Sequence, residues 1–559
     1  KRGRGSETNP LYLQYIEERR SIEPDNDINI EISNKEIAQA FVLRVSDFSS
    51  PSTQIALIVT SKILYNLNAI GFRRYWLDQF FINKFFELAP VRKEVFDKSN
   101  DPAVGPATII FYQYANGEDT NSQIVDHIAL KPSRFFSLFK VFTLQKNDYK
   151  QVEQRQLKKY DYLWKVLVYG SYLDFNLVKR LKECYPSVNT IVSNDEDFII
   201  GQGAMVGGGD NNDASHLSGK PLLDTKKDID AFWINPDPKN IWNFSTVHRP
   251  RNENLYKAPM LLATKGIDKK FRSVSAICRF DTVFRSSLTA IKSTNNDLST
   301  LQSIEGLLNS SFFSYFCVQA FSSSGIEREQ SHDEEKFSIP FVVNESITQV
   351  AGELRDLKEK KKSEDFKTDP TIDSQIQQKM EKLDKTVITS FSFSEQEKDL
   401  LDYSVNVTIP MLMKHNGYQK LYEPLDFKDK IIEEYLHLFL SNFNEVFREL
   451  EQQINVKVKY SKHIIGLFFK LDTLDSDRAP ISWEKSEDSE VLQVLSSLGS
   501  EKITNQLFIR KDIRGFEEYG FYIVKPNERK LWHKAIGYID VNDFVDSILT
   551  TGKKSVVNV

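Results

Sequence analysis

The side chains best suited to chemistry lie between residues 248 and 272. His248, Arg249, Arg251 and Asn252 cluster beside the breaks at Pro236, Pro238 and Pro250, and Lys265, Lys269, Lys270 and Arg272 follow. Arginine can read guanine and asparagine adenine through paired hydrogen bonds, each worth about 1–3 kcal/mol of discrimination. Lysines suit phosphates, which position a protein on nucleic acid without carrying sequence information. A solvated charged loop would use the same residue types. Other chemistries find less. Cys184, Cys278 and Cys317 lie far apart with no CxxC spacing, and His437, His463 and His533 are dispersed, so no metal set is expected. A metal-dependent nuclease needs clustered carboxylates and a lysine on adjoining strands. Trp483-Glu484-Lys485 lacks the spacer for this, and Asp365-Phe366-Lys367 falls in a linker. Gly201-Gln202-Gly203 has no following helix and no acidic residue at dinucleotide-binding spacing.

The elements that must hold these residues show in the apolar pattern. The 559 residues carry a net charge of −5, with 40% apolar and 12% aromatic content, which fits a globular chain of about three to four domains. Against an acidic background, phosphate binding must come from local clusters in a confined cleft. No apolar run reaches membrane-spanning length and no signal-peptide pattern is present, which implies a cytoplasmic protein with no membrane partner.

Lys35 to Phe48 places Ile37, Ala40, Phe41 and Val45 at helical spacing, predicting a helix packed on a sheet. Ile55-Ala56-Leu57-Ile58-Val59 is a short continuous apolar run, predicting a strand buried on both faces. A helix from Phe72 and strands over 80–88 and 107–112 follow. Together they give the last third of a doubly wound α/β sheet with an antiparallel edge. Thr60-Ser61-Lys62 ends the first strand at its carboxyl end, where open α/β sheets keep their sites. Further on, Gly207 to Asp213 reads as a mobile hairpin tip, Leu301 to Phe316 as a buried helix, and 350–385 as two charged helices broken near Pro370. Ser394 with Glu397 makes a capping box. Strict alternation at Val456 to Tyr460 and the runs after it give a small α+β domain.

Residues Asn9 to Tyr114 run in a recognisable order: Asn9-Pro10-Leu11-Tyr12, an amphipathic helix, a strand ending Ile58-Val59-Thr60-Ser61-Lys62, then Phe72-Arg73-Arg74-Tyr75 and a second strand pair. This resembles the second half of a gamma-type DNA adenine-N6 methyltransferase of the TaqI-like and type IIG restriction-modification or phage-defence kind. Residues 201–341 resemble the target-recognition domain of TaqI-like enzymes through ordered short matches. These include Gly201-Gln202-Gly203, Gly219-Lys220-Pro221-Leu222, Lys257-Ala258-Pro259, Gly306-Leu307-Leu308-Asn309-Ser310, Ser322-Ser323-Ser324-Gly325 and Ile339-Pro340-Phe341.

The resemblance implies S-adenosylmethionine as cofactor and double-stranded DNA as partner. The family's Asn-Pro-Pro-aromatic tetrapeptide and glycine-rich cofactor loop occur nowhere in this sequence, so both are implied to lie in an upstream segment or partner subunit. No catalytic residue is then expected in this chain, and the chain alone should not methylate. Phe96 holds the place of the aromatic that stacks on a flipped adenine, an interaction returning about 1–3 kcal/mol against the cost of flipping. Lys62 falls at the pocket, and Arg2 and Arg4 in the mobile loop over DNA. Lys220, His248, Arg249, Arg251, Asn252, Lys265, Lys269, Lys270 and Arg272 fall on the DNA-reading wall.

The resulting organisation is 1–125, the carboxyl-terminal half of the catalytic domain; 126–195, a helical connector; 196–342, the recognition domain; 343–420, a helical arm; and 421–559, an α+β domain of unassigned role that could dock other restriction or defence subunits. The alternative is a non-enzymatic specificity or assembly subunit of such a complex.

Overall fold

The computed structural model describes residues 37–95, 105–132, 142–144, 146–327, 329–474, 479–491, 508–510, 513–517 and 519–557. The chain divides into two compact units: Lys1–Ser171 together with Gln419–Val559, and Tyr172–Tyr418.

The first unit opens with helix α1 (Ile37–Arg44), strand β1 (Ile55–Thr60), helix α2 (Ile70–Gln79), and strands β2 (Phe80–Glu87), β3 (Ala107–Tyr114) and β4 (Ile124–Ala129). A short strand β5 (Phe142–Leu144), then β6 (Tyr149–Glu153) and helix α3 (Leu163–Tyr169), complete this stretch. The sheet order is β1-β3-β2-β4-β6. β3 is antiparallel to both β1 and β2, β2 is parallel to β4, and β6 is antiparallel to β4.

One sheet face is densely filled. Leu57 opposes Ile110, which opposes Phe85, and Trp76 meets both Phe85 and Tyr112 edge-on while Trp164 meets Phe85 from α3. Large rings at period-2 positions on the strands and at helical spacing on α2 and α3 interlock into one apolar layer.

Three expectations change here. The antiparallel strand is not at an edge: it is inserted between β1 and β2, and β4 and β6 extend the sheet beyond it. These two strands lie largely within the stretch expected as a helical connector, because their alternation (Val125 and His127 inward, Asp126 outward) is a strand period in a charged sequence. β1 is not buried on both faces. It is the edge strand, Ile58 is 72% exposed, and on α1 Ile37 and Phe41 are exposed while Gln39, Ala40, Val42 and Leu43 are buried.

The second unit begins with helix α4 (Tyr172–Cys184) and strand β7 (Phe198–Gln202), followed by β8 (Met260–Ile267), β9 (Ser273–Cys278) and β10 (Leu288–Ser293). These form an all-antiparallel sheet ordered β9-β8-β10-β7. Short two-residue ladders between β7 and β8 fold around Trp242, Tyr256 and Phe284 in the core. Helices α5 (Leu298–Leu308) and α6 (Ser311–Gln319) are buried along nearly their whole length.

Helices α7 (Glu345–Lys362) and α8 (Pro370–Ser390) pack together as the expected hairpin, α8 starting with Pro370 in its first turn and Asp369 as N-cap. Helix α9 (Glu395–Tyr403) carries the Ser394–Glu397 capping box. Glu397 also takes a two-pronged ion pair from Arg180 of α4, at 2.8 and 2.9 Å.

The first unit resumes with helix α10 (Lys430–Phe447) and strands β11 (Gln452–Tyr460), β12 (Ile464–Thr473), β13 (Ile481–Lys485), β14 (Phe508–Arg510), β15 (Ile513–Glu517) and β16 (Gly520–Pro526), then helix α11 (Lys534–Val557). The sheet β13-β11-β12-β16-β15 buries Tyr435, Phe439 and Phe443 of α10 against Phe469, Phe521 and Phe544. β14 pairs in parallel with β5, so the backbone of the carboxyl-terminal part joins that of the amino-terminal part directly.

Candidate functional site

Parallel strands β1, β2 and β4 end on the same side of the first sheet, at Thr60, Glu87 and Ala129. Glu87 is fully buried there and accepts from the Ser61 hydroxyl at 2.7 Å, the Tyr65 hydroxyl at 2.6 Å and the Ala89 N–H at 2.8 Å. Burial pushes its carboxyl up, against the pull of these donors and of Lys131. Burial, and then Glu87 itself, hold the Tyr65 phenol far above its usual range, so Tyr65 keeps its proton and donates it to Glu87.

A buried carboxylate is tolerated when its lone pairs are filled. Here they fix two turns: the short helical turn Lys62–Tyr65 after β1, and Ala89–Val91 after β2. Arg73, also buried, reinforces the first turn by donating to the carbonyls of Ile63 and Asn66 and to Asp161. Ser61, Tyr65 and Glu87 went unnoticed as a set in the sequence. The available signal was that Ser61 and Tyr65 stand four apart, one turn of helix, directly after a strand.

His127 lies on the filled face against Phe85. Burial first, then the nearby Lys150 and Lys131, depress its imidazole far below the usual range and keep it neutral. Lys131 and Lys150 donate to the carbonyls of Val168 and Leu167, capping the carboxyl end of α3.

Lys62 is half-buried beside this knot. Phe96, Arg2 and Arg4 lie outside the described residues. The polar groups of Ser61, Tyr65 and Glu87 are consumed among themselves, so this set does not by itself make a cradle for the S-adenosylmethionine that the resemblance implies.

In the second unit the loop 248–252 is held by its backbone. Met205 and Arg249 exchange N–H and C=O bonds at 3.0 and 3.2 Å, Tyr256 donates to the Pro250 carbonyl at 2.8 Å, and the Asn252 side chain caps the turn after it. Arg251 sits at φ 73, a left-handed backbone that a side-chain-bearing residue rarely adopts; its Nε lies 3.4 Å from the Gly203 carbonyl. Arg249 is exposed, and its guanidinium has no partner among the described residues.

His248 pairs with Asp210 of the glycine tip at 3.3 Å. Gly208 lies so near its ring that a Cβ there would come within 2.3 Å, so the glycine lets the tip close over the imidazole. Arg285, exposed with its guanidinium 5.8 Å from the Phe244 ring centre, pairs by backbone with Ala204 on the neighbouring segment; no local pattern marks it.

The basic residues beyond divide. Lys269 and Lys270 are exposed, Lys265 is half-buried, and Lys220 pairs with Glu253 at 3.1 Å. Arg272 is drawn inward: it binds Asp384 at 2.6 Å and the Asn309 carbonyl at 3.0 Å, joining β9's approach to α5 and α8. Its role in the fold is that of an internal tie, unlike the phosphate contact expected from the charge run. Asn309, expected as a capping or core residue, is buried and bonds both the backbone and hydroxyl of Ser275. The arm lysines are engaged too: Lys358 and Lys362 meet Asp230, and Lys362 also stacks on Trp233.

Among the described residues, no group of three or more His, Cys, Asp or Glu could hold a metal, and no helix is long and apolar enough to cross a membrane. Neither a family model nor a curated protein matches the chain. Among solved structures, the type IIL restriction-modification enzyme MmeI in complex with DNA superposes with a TM-score of 0.41 at 10% identity, over 73% of this chain and 56% of that one. The HsdS subunit from Thermoanaerobacter tengcongensis gives 0.16 at 10% identity, over 65% of this chain and 97% of that one. Both scores are below the level from which a shared fold follows.

Proposed function

We propose that this chain is the DNA-recognising part of an S-adenosylmethionine-dependent DNA adenine-N6 methyltransferase in a restriction-modification or phage-defence system. In this reading the second unit reads duplex DNA through the loop 248–252. The first unit supplies one side of the pocket for an extruded adenine, with Phe96 as the stacking ring and Lys62 beside it. The cofactor loop and the amine-holding tetrapeptide come from an upstream segment or partner subunit.

The observation that carries the reading is the loop around Arg249. Its backbone is pinned at Met205, Pro250 and Asn252 while the Arg249 guanidinium stays exposed and, among the described residues, unpaired. A fixed backbone with a free planar donor is what base or phosphate contact requires, because the side chain gives up no internal bond on binding and the loop pays little ordering entropy. The ordered sequence matches across 201–341 support the same assignment.

The test is fluorescence anisotropy of the full chain on duplex DNA at several salt concentrations. Arg249→Ala should weaken binding by about 5- to 150-fold, the range expected for loss of one paired contact of about 1–3 kcal/mol. Each phosphate-contacting residue among Lys269 and Lys270 should reduce the salt slope by about 0.9 when replaced by Ala. Unchanged affinity in all three variants would place recognition elsewhere. Adenine methylation by the chain alone would contradict the division of labour, whereas failure of its complex to bind S-adenosylmethionine would favour a non-enzymatic specificity subunit.

A further inference from the structure

The sheet β13-β11-β12-β16-β15 has two unlike faces. Val456 and Val458 of β11, Leu467 and Phe469 of β12, and Phe521 and Ile523 of β16 belong to the core under helices α10 and α11. Side chains alternate along a strand, so the residues between these point the other way. The strand registers order them in rows across the outer face. One row runs Ser482, Lys457, Phe468, Tyr522 and Gly515 from β13 to β15, and the next runs Asn455, Lys470 and Gly520.

Two aromatic rings stand at the centre of this face. Phe468 and Tyr522 are directly opposite on adjoining strands, with ring centres 6.2 Å apart and planes 27° from parallel. Both are half-buried, where an outward sheet position ordinarily carries a polar side chain. Glycines let the rings lie along the sheet. A Cβ at Gly466 would fall 2.8 Å from the Phe468 ring, and one at Gly515 would fall 2.6 Å from the Tyr522 ring. A ring laid over a glycine keeps one face on the sheet and turns the other outward. Glycine inside a strand often marks a place where a ligand comes close to the backbone. Val491 packs on Gly466 and bounds the patch there.

Charge on the same face is placed for phosphates. Lys457 adjoins Phe468 in its row, Lys470 lies two residues further along β12, and their side chains are 53% and 68% exposed. Their carboxylate partners, Glu484 and Asp472, share the face, and Glu517 stands at its β15 border. Exposed pairs of this kind contribute little and are screened by salt, so a phosphate can take either ammonium at small cost.

We infer that this face binds single-stranded nucleic acid, with unpaired bases stacked on Phe468 and Tyr522 and the flanking phosphates held by Lys457 and Lys470. Aromatic faces on neighbouring strands with basic residues around them suit unpaired bases of any sequence. A duplex is the wrong shape, because its base faces are already stacked on one another. A protein partner is a poorer occupant, since the centre of a protein interface is depleted in charge, whereas Lys457 and Lys470 adjoin the rings. The face lies in the first unit, outside the loop 248–252, and stands whether or not that loop reads duplex DNA.

The test is fluorescence anisotropy of the full chain with short labelled oligothymidylate and oligouridylate at several salt concentrations. Saturable binding of at least one is expected, and the tighter of the two identifies DNA or RNA as the ligand. Phe468→Leu and Tyr522→Leu keep the apolar cover but remove the ring, and each should weaken binding by about 5- to 150-fold. Tyr522→Phe, which keeps the ring, should bind like the wild type. Lys457→Ala and Lys470→Ala should each lower the salt slope by about 0.7. Oligomers carrying 5-iodouracil, irradiated with the unsubstituted chain, should crosslink at Phe468 or Tyr522, a readout that needs no variant to fold. Absence of binding to both oligomers, leucine variants that bind like the wild type, or crosslinks confined to other residues each overturn the inference. Duplex binding by the same preparations is read separately and bears only on the loop 248–252.

Discussion

The first sheet of one unit and the sheet of the other solve the same packing problem in opposite ways. In the second unit β10 is buried at every position, and the polar groups around it are tied off: Glu305 to Arg355 and the Ile277 N–H, Asn309 to Ser275, and Lys336 to the Thr264 carbonyl. In the first unit the knot at Glu87 is equally well satisfied, but the far strand ends in an unprotected edge with Ile58 in solvent. Among the described residues the sheet of the second unit buries β10 at every position, whereas that of the first has a filled interior and a partly exposed edge strand.

The comparison is broken most sharply from the closed side. Arg355→Ala leaves Glu305 buried without its cation and should destabilise the second unit by about 3–5 kcal/mol; urea unfolding monitored by hydrogen exchange in β9 and α5 measures it. The same pair sets a pH dependence. Burial raises the Glu305 carboxyl to about 7, with Arg355 pulling the other way, whereas an unfolded glutamate titrates near 4.3. Between these values the folded unit holds a proton that the unfolded chain has released. Stability from this group is therefore greatest below about pH 4 and falls by about 1 kcal/mol per unit as pH rises toward 7. Glu305→Gln should flatten that slope, and an equal slope in wild type and variant would remove Glu305 as its source.

On the other side, Glu87→Ala leaves Ser61, Tyr65 and the Ala89 N–H without an acceptor. The expected loss is about 2–3 kcal/mol, seen as faster exchange in the turns after β1 and β2. The smallest effect belongs to the border: Ile58→Lys in the isolated chain should change stability by no more than about 0.5 kcal/mol. A large loss there would mean that β1 is packed in solution and that the contrast between the two sheets is false.

Much of this architecture was legible from local pattern. Period-2 runs placed β2, β3 and β11, the Ser394–Glu397 spacing gave a capping box that the structure contains, and Pro370 marked where the arm restarts. These features survive because they depend on neighbours within a few residues. The charge run 265–272 was misleading for the opposite reason. Lys269, Lys270 and Arg272 look alike in sequence, yet Arg272 is withdrawn by Asp384, which stands 112 positions later.

The sequence alone determined many of the strands and helices, the capping box at Ser394, and which residue types could meet nucleic acid, since periodicity and capping are short-range properties of the chain. Only the tertiary structure decided that β3 slips between β1 and β2, that Ser61, Tyr65 and Glu87 close on one another, that Arg249 is left free while Arg272 is spent, and that an apolar strand which reads as core is an exposed edge. Strand order and burial depend on contacts between residues distant in the chain, and an apolar run is written the same way in a core strand and in an edge strand.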